Sequence, residues 1–329
     1  MPRGHSILVG VPFIDTEAPF YSRSLPGFDG RAGCEGVVKD IRRMEALAHY
    51  FGYRPVLGES LVGSKATVSN VLSAIDALAS PSTGLDHGDH VLIYLSCHGR
   101  TMGSVAGEGT PSAGLSRALN AFLLHDGPFF NVTLFDRLRA VAAKSGRIRL
   151  RFCTVVDSCH AGSGNALPPG LLKELQRDVE DIWGRGLALP PAMIAQALSA
   201  AGLAPQAGGK ASLFADLQLD PASIQITLKI ALIVVQLLLA ALAQLPVQMV
   251  HLGAVGDEFR AQGGSSGSLF TRLLDMAIRE AERAYTYREM HAMLVDWLPE
   301  HRRPVLERPG LNTASPHFAD RSTVFSIEE

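Results

Sequence analysis

The chain has 329 residues, 47% of them hydrophobic and 19% charged, with a formal net charge of −2. This balance excludes a disordered polymer and a nucleic-acid-binding surface, and the length suffices for a large buried core. Four cysteines, Cys34, Cys97, Cys153 and Cys159, are too few for a disulfide scaffold and suit a reducing, cytoplasmic compartment.

Residues 7–12 form an apolar run of strand length, too short for a secretion signal, and a Pro-, Gly- and Asp-rich loop follows. Between Gly36 and Tyr50, the residues Val37, Ile41, Met44, Leu47 and Ala48 recur at helical spacing. Tyr53 to Leu57 reads as a short strand. Thr67 is placed to cap a helix carrying Val71, Leu72, Ile75 and Leu78. Asp89 leads into an apolar strand that ends Leu95-Ser96-Cys97-His98-Gly99. Arg100 to Ser116 has no periodicity and reads as a loop.

Ala118 to Leu124 is a further strand, closed by His125-Asp126-Gly127, and Thr133 is expected to cap a helix with Leu134, Leu138 and Val141 on one face. The next strand runs Arg151-Phe-Cys-Thr-Val-Val-Asp157 and opens into Ser158-Cys159-His160-Ala-Gly162. Strands alternating with helices in this way predict an α/β fold with a mainly parallel sheet covered on both faces. Residues 163–246, rich in Ala, Leu, Pro and Gly, read as an insertion within one domain spanning 1–329. Val247 to Val255 resumes strand character, Leu269 to Ala284 is a helix, and Thr286 with Glu289 has capping-box spacing.

Ile230 to Leu245 is strongly apolar but spans only 16 residues and contains two glutamines, which is short for a membrane crossing. A crossing there would also separate strands expected to share one sheet. A buried helix, or one that docks a protein partner, fits better, and a membrane partner is not expected.

Two strand ends carry the chemistry. If their strands are neighbours in a parallel sheet, His98 and Cys159 emerge side by side at the carboxyl edge, where open α/β sheets build their sites. A thiol is a useful nucleophile as thiolate, and an adjacent imidazole can take its proton. Cys97-His98 with Cys159-His160 could suggest zinc. Adjacent strand residues point to opposite faces, however, so no metal site is expected.

These features resemble the caspase-like peptidases, and the metacaspase and orthocaspase type more than the animal caspases. The resemblance rests on elements in the family's order. They are Gly33-Cys-Glu-Gly-Val-Val-Lys-Asp40-Ile-Arg-Arg-Met44 at the first helix, Gly88-Asp89 before the His-Gly strand, the Asp-Ser-Cys-His-Ala-Gly turn, Gly267-Ser-Leu-Phe-Thr271, and Arg303-Pro-Val-Leu306 near the end. It implies a three-layer sandwich and hydrolysis of peptide bonds through an acyl-enzyme on Cys159, with His98 as general base. It assigns the oxyanion to the backbone N–H groups of Gly99 and Cys159.

The resemblance also places Asp40 and Asp157 in a pocket for a basic side chain, with Ser96 as polar neighbour, and so implies cleavage after Arg or Lys of a protein or peptide substrate. Asp-directed relatives need arginines instead, for which Arg31 is the nearest residue. Family members often carry a cleavable linker, and here Lys173, Arg177, Arg185 and Lys210 lie within the insertion. Calcium activation is not favoured, because Asp126 and Asp136 alone make a poor site for a cation that prefers six to eight oxygens. No cofactor is expected. Pockets for Asp or an apolar residue remain open alternatives, as does a non-catalytic scaffold recruited through the apolar helix.

Overall fold

Long apolar strands with little alternation are the ones that sheets bury on both faces, and here they lie at the centre. The computed structural model describes residues 2–24, 28, 34–80, 83, 85–101, 120–144, 150–159, 248–255, 263–280, 283–307 and 322–327. The described strands are β1 (Gly4–Gly10), β2 (Tyr53–Pro55), β3 (Leu61–Val62), β4 (His90–Ser96), β5 (His98–Thr101), β6 (Asn120–Leu123), β7 (Pro128–Phe130), β8 (Arg151–Asp157), β9 (Gln248–Gly253) and β10 (Val305–Glu307). The described helices are α1 (Pro19–Ser24), α2 (Val37–Tyr50), α3 (Val68–Leu78), α4 (Asn131–Lys144), α5 (Leu269–Arg279) and α6 (Tyr287–Trp297).

The main sheet runs β10-β9-β8-β4-β1-β2, with β3 also on β1, and every pairing is parallel except that of β10 with β9. Strand residues alternate between two apolar layers. Ile7, Val9, Ile93, Leu95, Phe152 and Val156 pack with Val71, Ile75, Leu134 and Leu138 of α3 and α4. Leu8, Leu92, Tyr94, Val155, Val250 and Leu252 pack with Ile41, Met44, Leu274, Met290 and Leu294 of α2, α5 and α6. The result is a three-layer α/β sandwich with a mostly parallel centre.

Local signals placed most boundaries. Thr67 Oγ1 accepts from the Asn70 N–H at 3.1 Å, and Thr286 with Glu289 forms the capping box. Several boundaries differ from the expectation. The first strand begins at Gly4, because its early residues pair with β2 and β4. The second strand stops at Pro55: after a last bond from the Val56 N–H to the Ser6 carbonyl at 3.0 Å the chain turns, the Gly58 N–H donating to the Pro55 carbonyl at 3.1 Å. Thr133 is not a cap, since β7 runs directly into α4 at Asn131. The helix from Leu269 ends at Arg279 rather than Ala284.

A larger difference concerns the His-Gly strand. The parallel ladder of β4 stops at Ser96, and His98 opens β5, which pairs antiparallel with β6 in a separate sheet β5-β6-β7. The strand expected at Ala118–Leu124 is therefore β6, outside the central sheet. Most of the loop expected after Arg100, the insertion at 163–246 and the apolar segment 230–245 lie outside the described residues. Among the described residues no helix is long and apolar enough to cross a membrane.

The layer assignment predicts a graded cost on α3. Ile75 is 0% exposed. Ile75→Ala should destabilise by about 3 kcal/mol through lost burial and a cavity, whereas Tyr50→Ala on the exposed end of α2 should change stability by less than about 0.5 kcal/mol. Urea unfolding of the two variants checks this, and equal costs would contradict the layering.

Candidate active site

Two strands in register deliver two turns to one edge. Ser96 lies opposite Asp157 across the β4–β8 ladder, so the residues after each leave the sheet together. The Cys97 N–H still reaches the Asp157 carbonyl at 3.3 Å, which ties the departing strand to β8. The switch of His98 into the second sheet turns the chain across the end of β8.

The consequence is a close backbone contact. A Cβ on Gly99 would lie 1.8 Å from the Cys159 carbonyl oxygen and 3.0 Å from Ser158 Oγ. Only a glycine permits this approach. The turn that carries His98 therefore rests directly on the turn that carries Cys159. His98 is half-buried, and Phe28 meets its ring edge-on at 5.2 Å between centroids.

The four cysteines are chemically unequal. Cys34, Cys97 and Cys153 are buried, whereas Cys159 is half-exposed, and none is in a disulfide. Burial pushes the Cys34 thiol up to about 12, helped by negative charge at Cys159 and Asp157, and it pushes Cys153 to about 12 as well. Burial drives Cys97 well above its ordinary range. These three stay protonated and inert.

Beneath the cysteine turn lies a polar network set in an otherwise apolar layer. Asp157 is 4% exposed and Asp40 is 1% exposed. Thr271 Oγ1 donates to Asp157 Oδ2 at 2.5 Å. With its one proton so used, the Thr271 oxygen accepts from the Tyr94 hydroxyl at 2.8 Å, and Tyr94 is in turn hydrogen-bonded to Ser96. Ser268 caps α5 by accepting from the Thr271 N–H, and its own N–H donates to Asp40 Oδ2 at 2.8 Å. The Ser268 side chain also bonds Asp157. Arg43 Nη1 donates to Asp40 Oδ1 at 3.1 Å.

Burial raises both carboxyls. For Asp40 the push reaches about 7, because desolvation and the charge of Asp157 outweigh Ser268 and Arg43. Asp157 also shifts upward by burial, against the pull of its hydroxyl donors.

The structure thus brings together His98, Gly99 and Cys159, and close below them Ser96, Asp40 and Asp157. Asp126 lies elsewhere, its carboxylate accepting the Val68 N–H at 2.8 Å at the start of α3. Among the described residues no cluster of His, Cys, Asp and Glu could hold a metal. Arg31, His160, Lys173, Arg177, Arg185 and Lys210 fall outside the described residues, and the Asp136 side chain is likewise not described.

Sequence reasoning missed Tyr94, Ser268, Thr271, Arg43 and Phe28. The Ser268-x-x-Thr271 spacing at a helix start is a capping signal that could have found two of them. Tyr94, set in an apolar strand, carries no such signal.

The acid pair sets a pH dependence of stability. A folded value near 7 for Asp40, against an ordinary 3.8, means that the folded state holds the proton more tightly than the unfolded chain. This contribution is fully present below the unfolded value and is lost as pH rises through about 7. Wild-type stability in urea should therefore fall more steeply than that of Asp40→Asn between about pH 5 and about pH 8. Parallel curves would show that Asp40 is not held protonated.

Comparison with known proteins places this geometry. The crystal structure of protein GSU0716 from Geobacter sulfurreducens superposes with a TM-score of 0.59 at 18% identity, covering 100% of both chains, which supports the fold. No curated protein sequence matches the chain significantly. The family model described as the caspase domain matches residues 26–313, which includes every residue of the site above, and the chain belongs to this family of caspase-like cysteine peptidases.

Proposed function

We propose that the protein is a metacaspase-type cysteine endopeptidase acting in the cytoplasm, with Cys159 and His98 as a catalytic dyad. His98 takes the Cys159 proton, and the thiolate attacks the scissile carbonyl. As the C–N bond breaks, His98 returns the proton to the departing amine and a thioester remains. Water, deprotonated by the same imidazole, then hydrolyses it. The backbone N–H groups of Gly99 and Cys159 stabilise the oxyanion of each tetrahedral intermediate.

The observation that carries this proposal is the contact of Gly99 with Cys159, at the one cysteine of four that is not buried. A merely structural thiol would have no need of a glycine against its carbonyl.

The residue before the scissile bond is Arg or Lys, recognised by Asp40 and Asp157 with Ser96 alongside. Charge supports the choice. Among the described residues two buried carboxylates face a single guanidinium, Arg43, so an incoming cation relieves like-charge repulsion and an incoming carboxylate would add to it. On the same basis the insertion is a substrate in its own right, cut after Arg185, Lys173, Arg177 or Lys210. The absence of disulfides among the four cysteines supports a reducing setting.

Fluorogenic peptides varied at the residue before the scissile bond provide the test. Turnover should be selective for Arg and Lys and should vanish in Cys159→Ala and in His98→Ala. Asp157→Asn should lower kcat/KM for the Arg peptide by about tenfold or more, the worth of one charge-assisted contact. Turnover after Asp or an apolar residue would overturn the pocket and leave the dyad. Absence of turnover, with the insertion cut or intact, would overturn the catalytic assignment.

A further inference from the structure

Asp40 has an unusual neighbourhood for a residue meant to receive a cation, because it already holds one. Arg43 sits one helical turn further along α2 and places Nη1 3.1 Å from Asp40 Oδ1, while the Ser268 N–H occupies Oδ2. The arrangement is enforced from above. Gly267 has φ +101°, and a Cβ there would lie 2.2 Å from Asp40 Oδ1 and 2.4 Å from Arg43 Nη1. The turn from Gly264 to Gly267, closed by a 2.9 Å hydrogen bond, is thus moulded over this ion pair, and any side chain at 267 would evict it. The Arg43 side chain is 27% exposed, so its guanidinium lies between the buried acid and solvent.

We infer that Arg43 is a specificity-determining residue, a resident counter-cation that holds the Asp40 oxygen a substrate guanidinium would otherwise take. The inference rests on the basic-residue pocket proposed above and adds to it a built-in competitor. Arginine owes its advantage over lysine to paired, planar contacts with a carboxylate. The Ser268 N–H on Oδ2 limits that paired face with or without Arg43, and Arg43 on Oδ1 further takes charge from Asp40, so Arg43 compresses the preference for basic over neutral residues.

The groups facing Asp40 define what removing Arg43 would do. Asp157 of β8 raises the local negative potential, the Cys34 thiol and the Tyr94 hydroxyl of β4 are neutral neighbours, and Ser268 at the head of α5 donates. Among the described residues Arg43 alone brings positive charge directly onto the carboxylate. Without it, Oδ1 of Asp40 is open to a substrate cation once the acid is ionised, though Ser268 keeps Oδ2, and Asp40 ionises at higher pH.

The test is Arg43→Met, which keeps an apolar stem without donors, compared with Arg43→Lys, which keeps the charge. Peptides with Arg, Lys or Gln before the scissile bond are assayed across pH. In Arg43→Met the ratio of kcat/KM for Arg over Gln should rise about three- to tenfold on the alkaline side, the equivalent of up to one pKa unit of interaction. The gain should lie in KM, since the contact is made in both ground and transition states. The acid limb for the Arg peptide should move to higher pH, and Arg43→Lys should restore the wild-type limb. A structural role would alter all three peptides alike. If Arg43→Met does not fold, Arg43→Gln replaces it in the same assay.

Wild-type preference for Arg and Lys with unchanged ratios and acid limb in the Met variant would overturn the role of Arg43 and leave the pocket standing. A wild-type enzyme with no basic preference would overturn the pocket itself, and the inference with it.

Discussion

Two carboxylates buried side by side under a half-exposed thiol impose the main constraint on this molecule. Moving an ion out of water costs several kcal/mol even after relaxation, so each acid must be served by donors or must take up a proton. Here both happen. Asp157 receives the hydroxyls of Thr271 and Ser268, Asp40 receives an N–H and a guanidinium, and both still titrate above the ordinary carboxylate range. The donors come from α2 and from the first turn of α5, elements separated by more than two hundred residues. The acid pair therefore fixes how these helices seat on the sheet. The cap of α5 is part of the same device, because Ser268 uses its hydroxyl for the helix and its N–H for Asp40.

The sheet explains why the Cys159 turn sits above this pair. Asp157 is the last residue of β8, facing the α2 and α5 layer, and Cys159 comes two residues later, where the ladder has ended. Ser96 ends β4 in the same register. The histidine could not stay in that ladder and still cross the cysteine turn. It crosses because β5 turns away into an antiparallel sheet, and glycine at 99 removes the one atom that would block contact. A parallel sheet thus supplies the acids, and the escape from it brings the His98-Gly99 turn onto the Cys159 turn.

Much of this was legible in the sequence, for identifiable reasons. Periodicity placed Val37, Ile41, Met44, Leu47 and Ala48 on the buried face of α2, and every one of them is buried, because an amphipathic stripe has only one apolar layer to meet. Thr67 and Thr286 were recognisable as caps since that bond is local. Register and sheet membership were less accessible. Nothing local in Leu95-Ser96-Cys97-His98-Gly99 marks Ser96 as the last parallel pair, because that boundary depends on a partner strand some twenty-five residues away. Arg43 was invisible for a related reason. On α2 it reads as a solvated base beside Arg42, and only the close approach of Gly267 turns it inward.

The proton inventory of the site also constrains its chemistry. The hydroxyls of Thr271 and Tyr94 form a directed chain, with Tyr94 donating to Thr271 and Thr271 donating to Asp157, so this branch is filled when Asp157 is ionised. Asp157 can then accept further donors but offers none. Asp40, pushed up to about 7, is bound to a cation that is itself partly in solvent. For Asp40 the cheap adjustments to added positive charge are loss of its proton and displacement of Arg43, both on α2. Breaking the hydroxyl chain would strand a fully buried acid. The division leaves Asp157 tied by hydroxyls to the cysteine strand and Asp40 tied to an arginine of its own helix.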